Sequence, residues 1–178
     1  SLYLRGNMDS LTQKDPIPFR EELEHVKYYC NIEKLRFQDK LDIYYEIGPD
    51  SFFVPTLSLQ PIVENAIKHG VTKKPEGGTV TVSTYEDEKN FYIKVEDDGK
   101  GFDVSTLDTE QNDGRSHIGI SNIKQRFSDI MGGTVSIESK EGVGTRVTVT
   151  LPKDKNVETL KQSLELQSDK DIFGEMNI

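Results

Sequence analysis

Apolar and polar positions along this chain follow two different periods, and the switches between them mark its elements. After Pro16 and Pro18 interrupt the N-terminal stretch, Phe19 to about Gln38 places Leu23, Val26, Cys30 and Phe37 at helical spacing. LDIYYEI (41–47) then alternates, with Leu41, Ile43, Tyr45 and Ile47 on one side, which is the period of a half-buried strand. Gly48-Pro49-Asp50 turns the chain. Helical spacing returns in Leu59, Ile62, Val63, Ala66 and Ile67, and Gly70 stands where a helix commonly ends.

Beyond Pro75-Glu76-Gly77-Gly78, TVTVSTY (79–85) and FYIKVED (91–97) read as a hairpin around a polar turn at Glu86 to Asn90. Asp103 to His117 is polar and nearly devoid of apolar residues, so it predicts a mobile loop. Ile120, Ile123, Phe127 and Ile130 make a third helix closed by Gly132-Gly133. TVSIES (134–139) and TRVTVTL (145–151), joined by KEGVG, form a last hairpin. The order is helix, strand, helix, two strands, loop, helix, two strands. It predicts an α+β fold, a two-layer sandwich in which a mixed, mostly antiparallel sheet of about five strands carries three helices on one face.

Three segments follow from this: residues 1–15, the end of an upstream helix or disordered; residues 16–152, the folded domain; and residues 153–178, a polar C-terminal tail. A disordered tail is expected there, with a short helix near Val157 to Leu166 as the alternative.

Composition narrows the class. The 178 residues suffice for one domain with a real core. The net charge of −9 argues against nucleic-acid binding, which needs clustered Lys and Arg, but leaves room for a small phosphate ligand. Cys30 is the single cysteine, so neither an internal disulfide nor a thiolate zinc cluster can form. The opening Ser1-Leu2-Tyr3 reads as an internal cut, with membrane segments expected upstream.

The polar residues of LQPIVENAIKHG (59–70) raise the question of chemistry. Glu64, Asn65, Lys68 and His69 lie opposite the apolar stripe, and a solvated face with a Glu64–Lys68 ion pair is the plain alternative. In FYIKVED, period two sets Asp97 on the same inward face as Phe91, Ile93 and Val95. An inward carboxylate is costly unless donors meet it. Beside the glycine turn DDGKGF it suits recognition of an exocyclic amine, as on adenine; an Asx-turn tying down its own loop is the alternative. HIGISN (117–122) opens a helix where Gly119 could free backbone N–H groups for an anion. No P-loop and no zinc spacing occurs.

In this order and spacing, VENAIKHG, EDDGKGF, HIGISN and GVGTRVTVTLP resemble the N box, the two glycine boxes and the terminal hairpin of the GHKL ATP-binding (Bergerat) fold. FREELEHVKYYCNIEKLRFQDKL followed by LSLQPIVENAIKHG is similar to sensor histidine kinases of the LytS/YesM type. The resemblance spans about residues 16–152.

It implies ATP and Mg²⁺ as ligands. Asn65 would hold the metal, Lys68 and His69 would serve the phosphates, and Asp97 would accept from the adenine amine. Gly99 and Gly101 would open the base pocket, Gly119 would offer N–H groups to phosphate, and Thr145 would sit near the base. Residues 103–117 would be the ATP lid. Relatives that hydrolyse ATP carry a glutamate four residues before the magnesium asparagine; here that position is Pro61, so transfer to an external acceptor is implied instead. The kinase N box often has a second asparagine at the Pro61 position, and many relatives have glycine at the His117 position.

The catalytic histidine is expected on an upstream dimerisation domain and is not His25. The further partner is a response regulator, and the whole protein is expected to be a membrane-anchored homodimer with this domain in the cytoplasm. A nucleotide-sensing module without transfer activity and an anti-sigma-type protein serine kinase are the alternatives.

Overall fold

The alternation read in the strands becomes two chemically distinct sheet faces. A computed structural model describes residues 16–108 and 116–175. Five strands, β2 (Leu41–Ile47), β4 (Gly78–Glu86), β5 (Asn90–Asp97), β6 (Thr134–Lys140) and β7 (Gly144–Pro152), lie in the order β2-β4-β5-β7-β6. Only the β2–β4 pair is parallel; the other three pairs are antiparallel. The expected mixed, mostly antiparallel sheet of an α+β fold is therefore present.

Register lines up the inner face in rows. Tyr45, Val82, Val95, Val147 and Ile137 share one row, and Ile47, Thr84, Ile93, Val149 and Val135 the next. The outer face is polar and paired across strands. Arg146 bridges Glu96 at 2.6 Å and Glu138 at 3.3 Å, and Tyr85 stacks on Tyr92. An antiparallel sheet with one wet face needs a single covering layer.

That layer is helical. Helix α1 (Phe19–Phe37) buries Phe19, Leu23, Val26 and Cys30, while α2 (Leu59–Asn65) buries Leu59, Ile62 and Val63. Helix α3 (Ser116–Met131) adds Ile123, Phe127 and Met131 to the same core. A ladder of three rings, Phe19 on Phe52 at 4.8 Å and Phe52 on Phe91 at 4.9 Å, pins the start of α1 to the sheet.

Three features depart from the sequence pattern. First, β1 (Pro16–Pro18) and β3 (Phe53–Pro55) form a separate two-stranded ribbon. Both are three residues long and proline-bearing, which hides them from a period-two reading.

Second, α2 does not stop at Gly70 in a left-handed cap. It widens into a π turn over Ala66–Gly70, and a 3₁₀ turn over Val71–Lys73 follows. Gly70 has φ −97°.

Third, the expected polar tail is a helix, α4 (Lys153–Glu175). No glycine or proline interrupts residues 153–173, and a Lys155–Glu158 ion pair lies in its first turns. Its stripe is short, which is why the periodicity is faint: Asn156 and Thr159 are buried, and beyond them Leu160, Leu164, Leu166 and Ile172 are exposed. The helical layer thus has four members rather than three. The proposed helix end or disorder at residues 1–15 lies outside the described residues.

Asn156 anchors α4 by accepting the Phe53 N–H at 2.6 Å. Replacing it with alanine leaves that donor unmet and should cost about 1–3 kcal/mol. Removing residues 161–178 should change stability by less than about 0.5 kcal/mol, the usual scale for exposed positions. Urea unfolding midpoints of the two variants check this contrast.

Candidate functional site

One inner-face row breaks the apolar pattern. Ile43, Val80, Asp97, Thr145 and Ser139 stand in register, so the row turns polar at Asp97. The Asp97 carboxylate accepts the Gly99 N–H at 2.9 Å and the Thr145 N–H. Thr145 Oγ1 meets Ser139 Oγ at 2.8 Å, and Ser139 Oγ accepts the Phe102 N–H. Burial outweighs the two amide donors and pushes the Asp97 carboxyl up to about 6. The Asx-turn alternative is thus half true: Asp97 does hold its own loop, yet it also borders a cavity.

That cavity has a volume of about 300 Å³ and runs between β5, β7 and the helices α2 and α3. Asn65, His69, Asp97, Gly101 and Thr145 line it. Its apolar walls include Ile62, Val95, Ile123, Ile137 and Val147. Leu107 joins them from a 3₁₀ turn over Val104–Asp108, which is the described start of the loop read from sequence. Residues 109–115 of that loop lie outside the described residues.

Not every expected residue is in the lining. Lys68 and Gly119 are outside it, and among the described residues Lys100 is the lysine that borders the cavity. Lys68 and His69 are both exposed, but only His69 turns along the cavity side of the π turn. Glu64 makes no ion pair with Lys68 among the described contacts; it accepts instead from Gln60 Nε2 at 3.2 Å.

The glycines have a different task from the one expected. Gly99 does not open a pocket, because a Cβ there would stand 2.2 Å from the Gly70 carbonyl carbon. A Cβ on Gly70 would stand 2.5 Å from Asp97 Oδ1, and one on Gly144 would stand 1.9 Å from the Asp97 carbonyl oxygen. Three glycine backbones therefore pack around Asp97 and its loop, Gly70 directly against the carboxylate. Gly101 lines the cavity, but its φ of +63° and its approach to the Lys140 carbonyl make it a joint to the β6–β7 hairpin. Gly119 alone would meet nothing within 4 Å. Gly70 and Gly144 were legible only as turn glycines, since sequence spacing carries no signal of a close approach between distant backbones.

The residues fit a nucleotide carrying its own metal. Among the described residues no group of three His, Cys, Asp or Glu side chains could hold an ion. Asn65 offers one amide oxygen beside the cavity, so a hard cation there needs oxygen ligands from the substrate's phosphates and water.

Comparison with known proteins agrees with this geometry. Residues 56–155 match the family described as histidine kinase-, DNA gyrase B- and HSP90-like ATPase, and residues 1–41 match a family described as histidine kinase. The YwpD protein of Bacillus subtilis is 36% identical over 152 residues, covering 84% of this chain and 55% of its own. The sensor histidine kinase YpdA of Escherichia coli is 34% identical, covering 87% and 28%. The sensor protein LytS of Bacillus anthracis is 31% identical, covering 86% and 27%. The chain thus spans about half of one of these relatives and under a third of the other two.

Among solved structures, the nucleotide-free catalytic domain of the histidine kinase ThkA superposes with a TM-score of 0.61 at 19% identity, over 78% of this chain and 96% of that one. At that identity the likeness concerns the fold.

The raised Asp97 carboxyl has a consequence for stability. Because its folded value lies above the ordinary 3.8, its contribution is fully present below about 3.8 and is lost as pH rises through about 6. In thermal melts from pH 4 to 8, the difference between Asp97→Asn and the wild type should therefore shift in the variant's favour up to about pH 6 and level off above it. A pH-independent difference would mean that the carboxyl is not buried as described.

Proposed function

We propose that this chain, which belongs to the family of histidine kinase-, DNA gyrase B- and HSP90-like ATPases, is the ATP-binding catalytic module of a two-component sensor histidine kinase. It holds Mg-ATP and presents the γ-phosphoryl group to a histidine on an upstream dimerisation domain. The observation that carries the reading is the half-buried Asp97 carboxylate, held by two backbone amides at the edge of an apolar slot.

Within that reading Asp97 accepts the exocyclic amine of adenine while Val95, Ile123 and Val147 cover the base. Thr145, tied to Ser139, stands beside the carboxylate and supplies a hydroxyl to the same edge of the base. Asn65 contributes its amide oxygen to the magnesium ion, which neutralises phosphate charge. His69 and Lys100 border the phosphate side; exposed Lys68 reaches it from the rim. Gly119 lies in the first turns of α3, where backbone N–H groups are free to meet an anion. In the transfer the bond between the γ-phosphorus and its bridging oxygen breaks, a phosphorus–nitrogen bond forms on the imidazole, and ADP leaves.

Transfer is favoured over hydrolysis by what flanks Asn65. Pro61 has no side chain able to activate water, and Glu64 is engaged by Gln60 and lies outside the cavity lining. The similarity of residues 1–41 to histidine kinases weighs against an anti-sigma-type serine kinase. A response regulator as recipient of the phosphoryl group, and membrane anchorage of a dimeric whole protein with this domain on the cytoplasmic side, belong to the same reading. Among the described residues no helix is long and apolar enough to cross a membrane.

Calorimetric titration with ATP tests the site. Loss of a hydrogen bond from a charged group costs about 1.5–3 kcal/mol, so Asp97→Asn should weaken binding by about tenfold or more. Wild-type affinity should rise as pH increases through about 6, since the ionised carboxylate is the stronger acceptor, and that dependence should vanish in the variant.

Asn65→Ala should chiefly remove the magnesium dependence of binding. Adding the relatives' upstream histidine domain in trans should yield acid-labile phosphate on its histidine. Tight ATP binding with no such phosphate would point instead to a nucleotide-sensing module.

A further inference from the structure

The turn Thr56-Leu57-Ser58, which launches α2, is gripped from opposite sides by opposite charges. From α1, Glu22 Oε1 accepts the Ser58 N–H at 2.8 Å, and the same carboxylate accepts the Leu57 N–H. From α3, the Arg126 guanidinium donates to the Thr56 carbonyl and, at 3.3 Å, to the Leu57 carbonyl. Glu22 and Ser58 are both fully buried.

Such a grip is costly, so it calls for a reason. Ser58 occupies the N-cap position, yet its hydroxyl donates back to the Pro55 carbonyl at 2.6 Å instead of capping α2. Glu22 instead meets the amides of the N-cap residue and the one before it, which fixes the turn ahead of the helix. Leu57 has φ +54°, an uncommon conformation for a residue with a side chain, and its amide and carbonyl are both held from outside. The second Glu22 oxygen is buried with no partner. A carboxylate buried this deeply is weak as a source of stability and better suited to fixing one geometry among several.

Two of the three elements that meet here, α2 and α3, contribute residues to the cavity lining, while α1 packs behind them. Asn65 lies seven residues beyond Ser58, along α2. Arg126 lies two helical turns beyond Gly119, along α3. Neither Glu22 nor Arg126 lines the cavity.

We propose that Glu22 and Arg126 are positioning residues for the nucleotide's phosphates: they fix α2 against α3, so that Asn65 and the start of α3 address one triphosphate. The inference rests on the nucleotide reading above. It also makes α1 an element through which a displacement upstream is felt at Asn65, because Glu22 hydrogen-bonds the turn that starts α2.

The test uses Glu22→Gln, Arg126→Met, the double variant and Arg126→Lys in the whole chain. Affinities for Mg-ATP come from calorimetry, those for adenosine from NMR titration, and amide hydrogen exchange is measured without ligand. Each single variant should weaken Mg-ATP about tenfold and leave adenosine within about twofold. The double variant should lose less than the product of the two, because both residues act on one turn. Arg126→Lys should recover part of the loss.

Exchange protection at residues 57–65 should fall in both single variants while β4 and β5 keep theirs. Equal weakening of adenosine and Mg-ATP, or unchanged protection at 57–65, would overturn the proposal by reducing the pair to a generic structural role. Absence of any wild-type binding would overturn the nucleotide reading itself and this inference with it. A wild type that binds, with variants that lose both ligands equally, would sink this inference alone.

Discussion

The carboxylate of Asp97 sits on the inner face of β5, where the apolar layer of a two-layer sandwich ought to continue, and the surrounding backbone is shaped to keep it there. Two amide donors meet it, one from its own loop and one from the neighbouring strand. Three glycines allow the backbones to approach here: a Cβ on Gly70 would strike the carboxylate, one on Gly144 the Asp97 carbonyl, and one on Gly99 the Gly70 backbone. The close approach ties the π turn after α2, the loop after β5 and the tip of the β6–β7 hairpin to one point. A side chain at Gly70 or Gly144 would push against the carboxylate or its backbone, so the glycines act as packing residues whose partner is a charge. Their service to a ligand is indirect.

The apolar rows above that point supply the stability that allows such a cost. Val82, Val95, Val147 and their neighbours pack against α1, α2 and α3 in one core. Partial satisfaction of Asp97 leaves it titrating near 6 rather than deep in the acid range. A fully satisfied carboxylate would have little left to offer a ligand donor. The fold thus holds a group that is under-solvated and aimed at a slot of about 300 Å³, the low end of the usual size for small-molecule sites.

Much of this was readable from the order of residues, and the reasons differ by element. Strands β2, β4, β5, β6 and β7 announce themselves because one wet face and one dry face impose period two. Asp97 stands out because it breaks that period on the dry side. The close approach of Gly70 to Asp97, twenty-seven positions apart, is by contrast something no local pattern encodes. Helix α4 carries only two buried positions, so its periodicity is faint, and the proline-bearing β1–β3 ribbon is too short to show one. Lys68 is assigned to the phosphates on the resemblance of VENAIKHG to the N box. Widening into the π turn leaves His69 on the cavity side and Lys68 at the rim.

What the site lacks bears on the proposed transfer as much as what it holds. A hydrolase needs a base placed one helical turn before Asn65; the chain has Pro61 there, and the nearby Glu64 is hydrogen-bonded to Gln60. The described residues around the cavity can bind, orient and neutralise, and of those flanking Asn65 neither Pro61 nor Glu64 stands as a base toward the cavity. On that reading the nucleophile must arrive with its own activation, on another domain. The timing of chemistry is then decided by when that domain docks, and the turn held by Glu22 and Arg126 lies between α1 and the helix that carries Asn65. A module built this way keeps its nucleotide idle until the geometry is completed from outside, which is the behaviour a signalling kinase requires.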